Sequence, residues 1–211
     1  MNPPAIAIDG PAASGKSTVA KLIARELGYT FINTGAMYRA VTWYTLQKGV
    51  SPADTEAVKA LLPGIPLSFG KDGANSTVMC EGKVLGAELT EQIVNDNVST
   101  IAAIPEVRAL LVDKQREYNL SEPVVMEGRD IGTVVFPNTP FKYFVTASEE
   151  VRAARRAAQG LTDSIAERDR KDSARACAPL TMAADATLVD TSELTIEQVV
   201  ATVVEDIKKK L

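Results

Sequence analysis

The residues from Gly10 to Ser17 have the types and spacing of a phosphate-binding loop. They read Gly-Pro-Ala-Ala-Ser-Gly-Lys-Ser, which matches G-x-x-x-x-G-K-[ST]. Glycines at both ends allow the backbone to curl so that successive N–H groups surround an anion, and the following helix adds the positive end of its dipole. Lys16 supplies a charge for the outer phosphates, and the Ser17 hydroxyl suits Mg²⁺. The sequence predicts a nucleoside triphosphate site made of Gly10, Pro11, Ala12, Ala13, Ser14, Gly15, Lys16, Ser17 and Thr18.

The segments on either side of this loop agree with that interpretation. An apolar run over residues 5–8 predicts a buried strand, and apolar residues at helical spacing over 19–27 predict a helix. The alternative is an ordinary glycine-rich turn with an exposed lysine. The strand and helix in the required places disfavour it.

Composition limits the classes of protein that the chain can belong to. Its 211 residues, 45% hydrophobic and 24% charged, are typical of a soluble globular protein with one α/β domain. The net charge of −4 gives no support for nucleic-acid binding. No apolar run approaches the ~20 residues of a membrane span, and no signal peptide precedes the first strand, so we expect a cytosolic protein. Cys80 and Cys177 are far apart, which indicates two reduced structural thiols.

The chain contains no histidine, which removes several chemistries. A Ser-His-Asp triad, an H-E-x-x-H zinc site and imidazole acid–base catalysis are excluded. Lysine, arginine, carboxylates, hydroxyls and bound metal remain. Phosphoryl transfer fits this set because its catalysis is mostly positioning and charge neutralisation.

A second group of candidate residues follows the predicted second strand, residues 29–32. Asn33 or Thr34 could cap a helix over residues 36–47, and Arg39 lies in its first turns. Ligands gather at the carboxyl ends of parallel strands, so Thr34 and Arg39 could hold a second substrate. The alternative for Arg39 is a solvated helix arginine. A further helix is predicted from Ser51 to Leu62, with Pro52 in its first turn.

The stretch from Ile65 to Leu89 changes character, with short strand-like runs separated by Asp72-Gly73 and Glu81-Gly82. These dipeptides are hairpin signals, so a small antiparallel insert is expected, which could also be a stabilising flap without substrate contact. Helices are then predicted over 90–103 and 105–118. Ser99 and Arg108 flank the break between them and could converge on one ligand, or could both be surface residues.

Charged residues follow another buried strand, residues 124–126. Glu127 could organise Mg²⁺ through water, and Arg129 and Asp130 could face a bound substrate. The structural alternative is a mutual ion pair within the loop. The absence of an [NT]-K-x-D motif argues against a GTPase.

The region after the next strand, residues 141–145, is rich in arginine. Ser148 is expected to cap a helix that carries Arg152, Arg155 and Arg156 on one face. Gly160 interrupts it, and a charge-dense helix is predicted from Ser164 to Asp172. This region is either a solvated face or a mobile lid that brings arginines to phosphates. A last strand over 188–190 and an amphipathic helix over 195–210 complete the chain.

These motifs together resemble the bacterial cytidylate kinase family. The matching stretches are Ile8-Asp9-Gly10 with the phosphate loop, residues 34–39, residues 102–108, residues 127–137 and residues 168–180. The resemblance implies transfer of the γ-phosphoryl group of ATP to CMP or dCMP, with Mg²⁺. It also implies a nucleoside-monophosphate-kinase fold, α/β, with a five-stranded parallel sheet flanked by helices, an antiparallel insert and a short lid. The implied core is 1–62, 105–148 and 176–211, with an acceptor-binding insert at about 63–104 and a lid at about 149–175.

The resemblance also implies roles for individual residues. Arg39, Arg129 and Arg175 would clamp the monophosphate, while Ser99, Arg108 and Asp130 would read cytosine. Arg168 and Asp172 would lie near the ribose, with Tyr38 and Thr34 completing the CMP site. Lys16, Arg129, Asp130 and Arg175 would act in catalysis, Ser17 and (through water) Glu127 would hold the metal, and Arg152, Arg155 and Arg156 would contact phosphates from the lid. We expect a monomer that binds ATP and CMP or dCMP, with no nucleic-acid or membrane partner.

Two departures from the common family pattern affect the lid. The stretch between Arg156 and Glu167 is about ten residues shorter than usual, so which lid arginine reaches the phosphates stays open. Lys171 stands where an arginine is usual, which would lose a bidentate contact if that residue touches phosphate. Other acceptors such as AMP, UMP or shikimate stay open as well. So does a regulatory module that binds ATP without transferring its phosphate. A panel of acceptors would separate these alternatives.

Overall fold

A computed structural model describes residues 3–158 and 165–211 as alternating strands and helices. The strands are β1 (Ala5–Asp9), β2 (Thr30–Asn33), β3 (Leu67–Asp72), β4 (Asn75–Cys80), β5 (Lys83–Val84), β6 (Val124–Gly128), β7 (Lys142–Thr146) and β8 (Thr187–Asp190). The α-helices are α1 (Lys16–Leu27), α2 (Thr34–Gln47), α3 (Thr55–Leu61), α4 (Gln92–Ile101), α5 (Pro105–Tyr118), α6 (Glu149–Ala158), α7 (Ile165–Ser173) and α8 (Ile196–Lys210). Two short 3₁₀ turns, Leu62–Gly64 and Ala87–Thr90, and one π-helical turn, Ile131–Val135, lie between them.

Five parallel strands form the centre of the sheet, in the order β2-β6-β1-β7-β8. The predicted five-stranded parallel sheet is therefore confirmed. Every residue of β1 and β6 is buried, because helices cover both faces of the sheet. In the register, Asp9 at the end of β1 lies opposite Gly128 at the end of β6, and Asn33 of β2 lies opposite Glu127. This alignment brings the residues that follow β1, β2 and β6 to one edge of the sheet.

The antiparallel insert consists of β3, β4 and β5. A two-residue loop, Glu81-Gly82, joins β4 to β5, and both of its residues have positive φ, 51° and 80°. This is the geometry of a type I′ hairpin turn. The insert continues the central sheet through β4, which pairs in parallel with β2 at Phe31 and Asn75.

Helices on the two sides of the sheet enclose separate apolar clusters. On one side α1 and α8 pack against β1, β7 and β8, and the largest fully buried residues there include Ile6, Ile8 and Ile23. On the insert side α2, α4 and α5 pack together with β4 around Met37, Ile101 and Leu111. Within residues 3–158 and 165–211, no helix combines the length and the apolar character needed to span a bilayer.

Some predicted boundaries are wrong. Helix α3 begins at Thr55 and not at Ser51, because Asp54 caps it by accepting a hydrogen bond from the Ala57 N–H, which leaves Pro52 in the preceding turn. The residues from Ala87 to Thr90 form a 3₁₀ turn, and α4 begins only at Gln92. Both thiols are free as expected, but Cys177 is exposed and only Cys80 is buried. The predicted break at Gly160 and helix start at Ser164 lie outside the described residues.

Candidate active site

The phosphate loop connects β1 to α1 through three residues with positive φ. Gly10 has a φ of 154°, and a Cβ there would lie 2.0 Å from the Val145 carbonyl oxygen, so only glycine fits. Ala13 (φ 57°) and Gly15 (φ 87°) adopt left-handed conformations within the loop. Alternation of right- and left-handed residues turns successive N–H groups to one side, which is the geometry of an anion nest. The loop thus has the backbone shape that its sequence predicts.

Lys16 is buried at the base of this loop, and its ammonium donates to the Pro11 carbonyl at 2.8 Å. Burial, together with the positive charge of Arg129, lowers the pKa of Lys16 to about 7. In this buried and positively charged environment, the Lys16 ammonium has too little negative charge nearby to stabilise its charged form. An anion in the loop would supply that charge.

Ser17 and Glu127 meet across the sheet edge. The Ser17 hydroxyl donates to the Glu127 carboxylate at 2.8 Å, and Glu127 is buried at the end of β6. Hydroxyl and carboxylate oxygens are suitable ligands for a hard cation. Among the described residues no cluster of three or more His, Cys, Asp or Glu could hold a metal alone. The pair fits Mg²⁺ in the usual way for that ion, in which water and substrate phosphates supply the remaining oxygens.

Asp9 is a functional candidate that the sequence interpretation did not select. Its carboxylate is buried at the end of β1 and accepts two hydrogen bonds, from the N–H groups of Ile131 and Gly132, both at 2.7 Å. These N–H groups open the π-helical turn that follows Asp130. Burial raises the pKa of Asp9 to about 6, although the two hydrogen bonds oppose the shift. Asp9 therefore ties the start of the phosphate loop to the loop that carries Arg129 and Asp130.

Asp130 and Arg108 form a buried ion pair on the opposite wall of the site, with side-chain exposures of 6% and 4%. The Arg108 guanidinium also donates to the Ala102 carbonyl at 3.2 Å and lies 5.4 Å from the centre of the Tyr38 ring. Burial raises the pKa of Asp130, and the charge of Arg108 opposes that shift. The mutual Arg129–Asp130 pair left open above is not formed, because each residue has a partner elsewhere.

Asp172 on α7 joins three segments of the chain. It accepts from the Ser99 hydroxyl on α4 and from Arg129 Nε, both at 2.9 Å, and it pairs with Arg175. Burial alone would raise its pKa, but Arg129 and Arg175 outweigh that effect and lower it. Ser99 is thus bonded to Asp172, although sequence reasoning grouped it with Arg108 and Asp130.

Arg39 and Thr34 occupy the start of α2. Asn33 caps this helix by accepting from the Ala36 N–H, while the Thr34 hydroxyl donates to the Glu127 carbonyl at 2.8 Å. Burial lowers the pKa of Arg39 to about 10. Its buried Nε has no hydrogen-bond partner among the described residues, and the same holds for Nε of Arg175. Unsatisfied guanidinium N–H groups in a cavity are well suited to phosphate oxygens.

The three arginines of α6 have different surroundings. Arg155 donates to the Ser14 carbonyl (3.2 Å) and to the side chain and carbonyl of Thr191 (both 3.0 Å). Arg152 donates to the Ala12 carbonyl (3.1 Å) and pairs with Asp169 on α7. Arg156 lines the cavity described next. Thr191 and Asp169 had no motif that could have identified them from the sequence.

One cavity of about 500 Å³ brings most of these residues together. It is lined by the loop from Ala12 to Thr18 and by Thr34, Tyr38, Arg39, Ser99, Arg108, Glu127, Arg129, Asp130, Arg155, Arg156, Arg168, Asp172 and Arg175. Gly10 and Pro11 are not among the residues that line the cavity. Of the residues that the structure describes, eight cationic and three anionic side chains line this cavity, in a chain whose net charge is −4. The cavity therefore favours polyanionic ligands.

Comparison with solved structures shows the class of fold. A gluconokinase from Sinorhizobium meliloti aligns over 99% of this chain and 93% of its own, with a TM-score of 0.50 and 17% identity. The protein TT1252 from Thermus thermophilus aligns over 100% and 99%, with a TM-score of 0.50 and 20% identity. With the phosphate loop at the edge of a parallel sheet, these similarities define an α/β P-loop fold.

Comparison with sequences shows the family within that class. The cytidylate kinase family model matches residues 6–209. Proteins named cytidylate kinase are 45% identical to this chain in Lactiplantibacillus plantarum (97% of this chain, 95% of the relative) and in Clostridium botulinum strain Langeland (97% of each). A Streptococcus gordonii protein of the same name is 45% identical over 98% and 97%. The chain belongs to the cytidylate kinase family. The predicted family and the predicted enzyme class, an ATP-dependent kinase, are confirmed.

Proposed function

We propose that the protein transfers the γ-phosphoryl group of ATP to CMP or dCMP, which yields ADP and CDP or dCDP. The observation that carries the proposal is the cavity in which a phosphate loop faces a second set of arginines. Two anionic substrates can occupy such a cavity together, one on each side. The relatives named cytidylate kinase support cytosine nucleotides as the acceptors.

The proposed ATP site is the phosphate loop, residues 10–18. Backbone N–H groups of the nest and the Lys16 ammonium bind the phosphates, and Arg155 and Arg156 approach from α6. Ser17 and Glu127 would hold Mg²⁺, Ser17 directly and Glu127 through water. When bound, Mg²⁺ would neutralise charge on the phosphates.

The proposed CMP site is the opposite wall. Arg39, Arg129 and Arg175 bind the monophosphate, and the unsatisfied Nε atoms of Arg39 and Arg175 are available to it. Asp172, Ser99 and Arg168 lie beside them, where the ribose would be held, and Tyr38 and Thr34 complete this wall. When the monophosphate binds, it would replace carboxylates as the partner of these arginines. The positive charges of the arginines would therefore stay compensated.

Selection of cytosine follows from the Arg108–Asp130 pair. Cytosine presents a 4-amino group that donates, and ring atoms N3 and O2 that accept. Asp130 can accept from the amine while Arg108 donates to the ring. Uracil presents an acceptor at position 4, so the Asp130 carboxylate would repel it. Such mismatches of buried polar groups can discriminate strongly between substrates.

Catalysis in this proposal relies on position and charge. A phosphate monoester is largely dianionic near neutral pH, because its second pKa is about 6, so its oxygen needs no strong general base to attack the γ-phosphate in line. Lys16 and the lid arginines stabilise the charge that spreads over the transferring group, while Arg129, Asp130 and Arg175 hold the acceptor. Closure of the lid over both substrates excludes water.

The proposal assigns parts of the chain to separate tasks. Residues 1–62, 105–148 and 176–211 form the core, about 63–104 the acceptor-binding insert, and about 149–175 the lid. The protein would act as a monomer in the cytoplasm, in pyrimidine nucleotide metabolism, with ATP and CMP or dCMP as partners and without nucleic acid or membrane. The net charge of −4 gives no support for a nucleic-acid partner.

A panel of acceptors tests the proposal. ADP release is measured with ATP, Mg²⁺ and each of CMP, dCMP, UMP, AMP and shikimate. CMP and dCMP should give the highest kcat/KM, and Lys16→Ala should lower turnover by orders of magnitude without unfolding the chain. A better rate with another acceptor would overturn the substrate assignment. ATP binding without any acceptor-dependent turnover would point to a regulatory module instead.

A further inference from the structure

Ala12 in the phosphate loop has both of its backbone polar groups bound by side chains from the lid helices. Its N–H donates to the Asp169 carboxylate at 3.0 Å, and its carbonyl accepts from Arg152 at 3.1 Å. Arg152 and Asp169 also pair with each other, with side-chain exposures of 13% and 17%. We call these three residues the Ala12 clasp. It joins α6, α7 and the phosphate loop at one point.

The clasp determines how α7 lies relative to the loop. Asp169 is adjacent in sequence to Arg168 and precedes Asp172 by three residues, so all three lie on neighbouring faces of one helix. Arg168 and Asp172 line the cavity on the acceptor side, and Arg175 follows just beyond the helix. When Asp169 is held against Ala12, these residues are therefore directed at the acceptor side of the cavity.

A carboxylate beside a polyphosphate site is unfavourable unless its charge is balanced. Arg152 supplies the balance, because it pairs with Asp169 while also bonding the Ala12 and Ala147 carbonyls. The pair adds no net charge next to the loop. The Ala12 N–H is already occupied, which leaves the N–H groups from Ala13 onward for phosphate.

We propose that Asp169 is a positioning residue for phosphoryl transfer, which docks the lid helix on the phosphate loop and is kept compatible with bound ATP by Arg152. The inference rests on the kinase function proposed above. It adds a physical link between the ATP and acceptor sides of the cavity. It also assigns Arg152 to the clasp and leaves Arg155 and Arg156 to contact phosphate.

Steady-state kinetics of four variants test the inference against wild type. Asp169→Asn removes the charge-assisted hydrogen bond and should lower kcat about tenfold, with little change in KM for ATP. Arg152→Gln leaves an unbalanced carboxylate beside the phosphates and should raise KM for ATP about tenfold. The double variant D169N/R152Q should recover most of that KM but keep the low kcat. Glu167→Gln, which removes a carboxylate paired with Lys171 on the exposed side of the same helix, is the matched control and should behave as wild type.

A second readout needs no substrate. In ligand-free protein, hydrogen exchange at the Ala12 amide, followed by NMR, should be about tenfold faster in D169N than in wild type and unchanged in E167Q. Three results would each overturn the clasp. They are an unchanged hydrogen-exchange rate at the Ala12 amide of D169N, an unchanged kcat in D169N, and a KM for ATP in the double variant as high as in R152Q. If D169N were poorly folded, Asp169→Glu would take its place, because this variant keeps the charge but lengthens the side chain. Asp169→Glu should give an intermediate kcat with wild-type KM for ATP. A wild-type kcat in this variant would also overturn the clasp. If wild type itself lacks CMP kinase activity while the Ala12 amide responds as expected, the proposed function fails and the clasp stands.

Discussion

Binding of ATP should become weaker as the pH rises from 7 to 9, because Lys16 loses its charge in that range. Burial and Arg129 lower the pKa of this lysine to about 7 in the ligand-free protein. Its charged form, which is the one that can neutralise phosphate, is present below that pH and is lost above it. Phosphates bound next to the ammonium would restore the pKa of Lys16 to its ordinary range or higher, because a nearby negative charge favours the charged form.

The magnitude follows from the size of the shift. With a pKa of about 7, roughly one tenth of the Lys16 side chains are charged at pH 8 and roughly one hundredth at pH 9. If only the charged form binds, the Kd for ATP rises about fivefold from pH 7 to 8 and about ninefold from pH 8 to 9, or about 1.0 and about 1.3 kcal/mol. Binding at pH 8 then takes up about 0.9 proton. The terminal phosphate, with a second pKa of about 6, is mostly ionised at pH 7 and almost fully ionised at pH 8 and above, so it adds little pH dependence of its own.

Isothermal titration calorimetry in buffers of different ionisation enthalpy measures both quantities. Lys16→Met should bind ATP more weakly at pH 7, but its affinity should not change with pH and it should take up no proton. Lys21→Met, which removes an exposed lysine from the same helix, should behave as wild type. A wild-type Kd that is constant from pH 7 to 9, or proton uptake that persists in Lys16→Met, would refute this account of the loop.

Three further predictions concern stability, measured by urea unfolding. Asp9→Ala should lower the free energy of unfolding by about 2–6 kcal/mol, because it leaves two buried N–H groups without an acceptor. Asp9→Asn keeps one acceptor oxygen and should therefore lower the free energy of unfolding by less. Equal losses in the two variants would argue against the hydrogen bonds as the cause. Gly10→Ala should prevent folding or lower the free energy of unfolding by more than about 4 kcal/mol, because its Cβ would lie 2.0 Å from the Val145 carbonyl oxygen. Gly28→Ala, which has open space around it, should lower the free energy of unfolding by about 1 kcal/mol. Similar losses in the two variants would contradict the contact with Val145. Asp130→Asn should cost about 3–5 kcal/mol because it leaves the buried charge of Arg108 uncompensated, and a loss below about 1 kcal/mol would mean that the pair is hydrated in solution.

Much of the fold could be predicted because its signals are local. The buried strands β1 and β6 are continuous apolar runs, and Gly28 ends α1 in a left-handed conformation as its residue type predicts. The Glu81-Gly82 hairpin needs only the φ preferences of two adjacent residues. The start of α3 was missed because Ser51, Pro52 and Asp54 are all compatible with a helix start, and only the hydrogen bond to Ala57 distinguishes them.

The phosphate loop was determined by the sequence itself, because an anion nest is a property of consecutive residues. Glycines at 10 and 15 and the lysine at 16 identify the loop, although Ala13 also adopts a positive φ that its residue type does not predict. Only the tertiary structure decided the partners of the other charges. Asp9 meets N–H groups 122 and 123 positions away through the register of β1 with β6, and Asp169 meets the Ala12 N–H, 157 positions away, through the packing of a lid helix. Such contacts depend on which strands align and which helices dock, and no pattern of neighbouring residues encodes them.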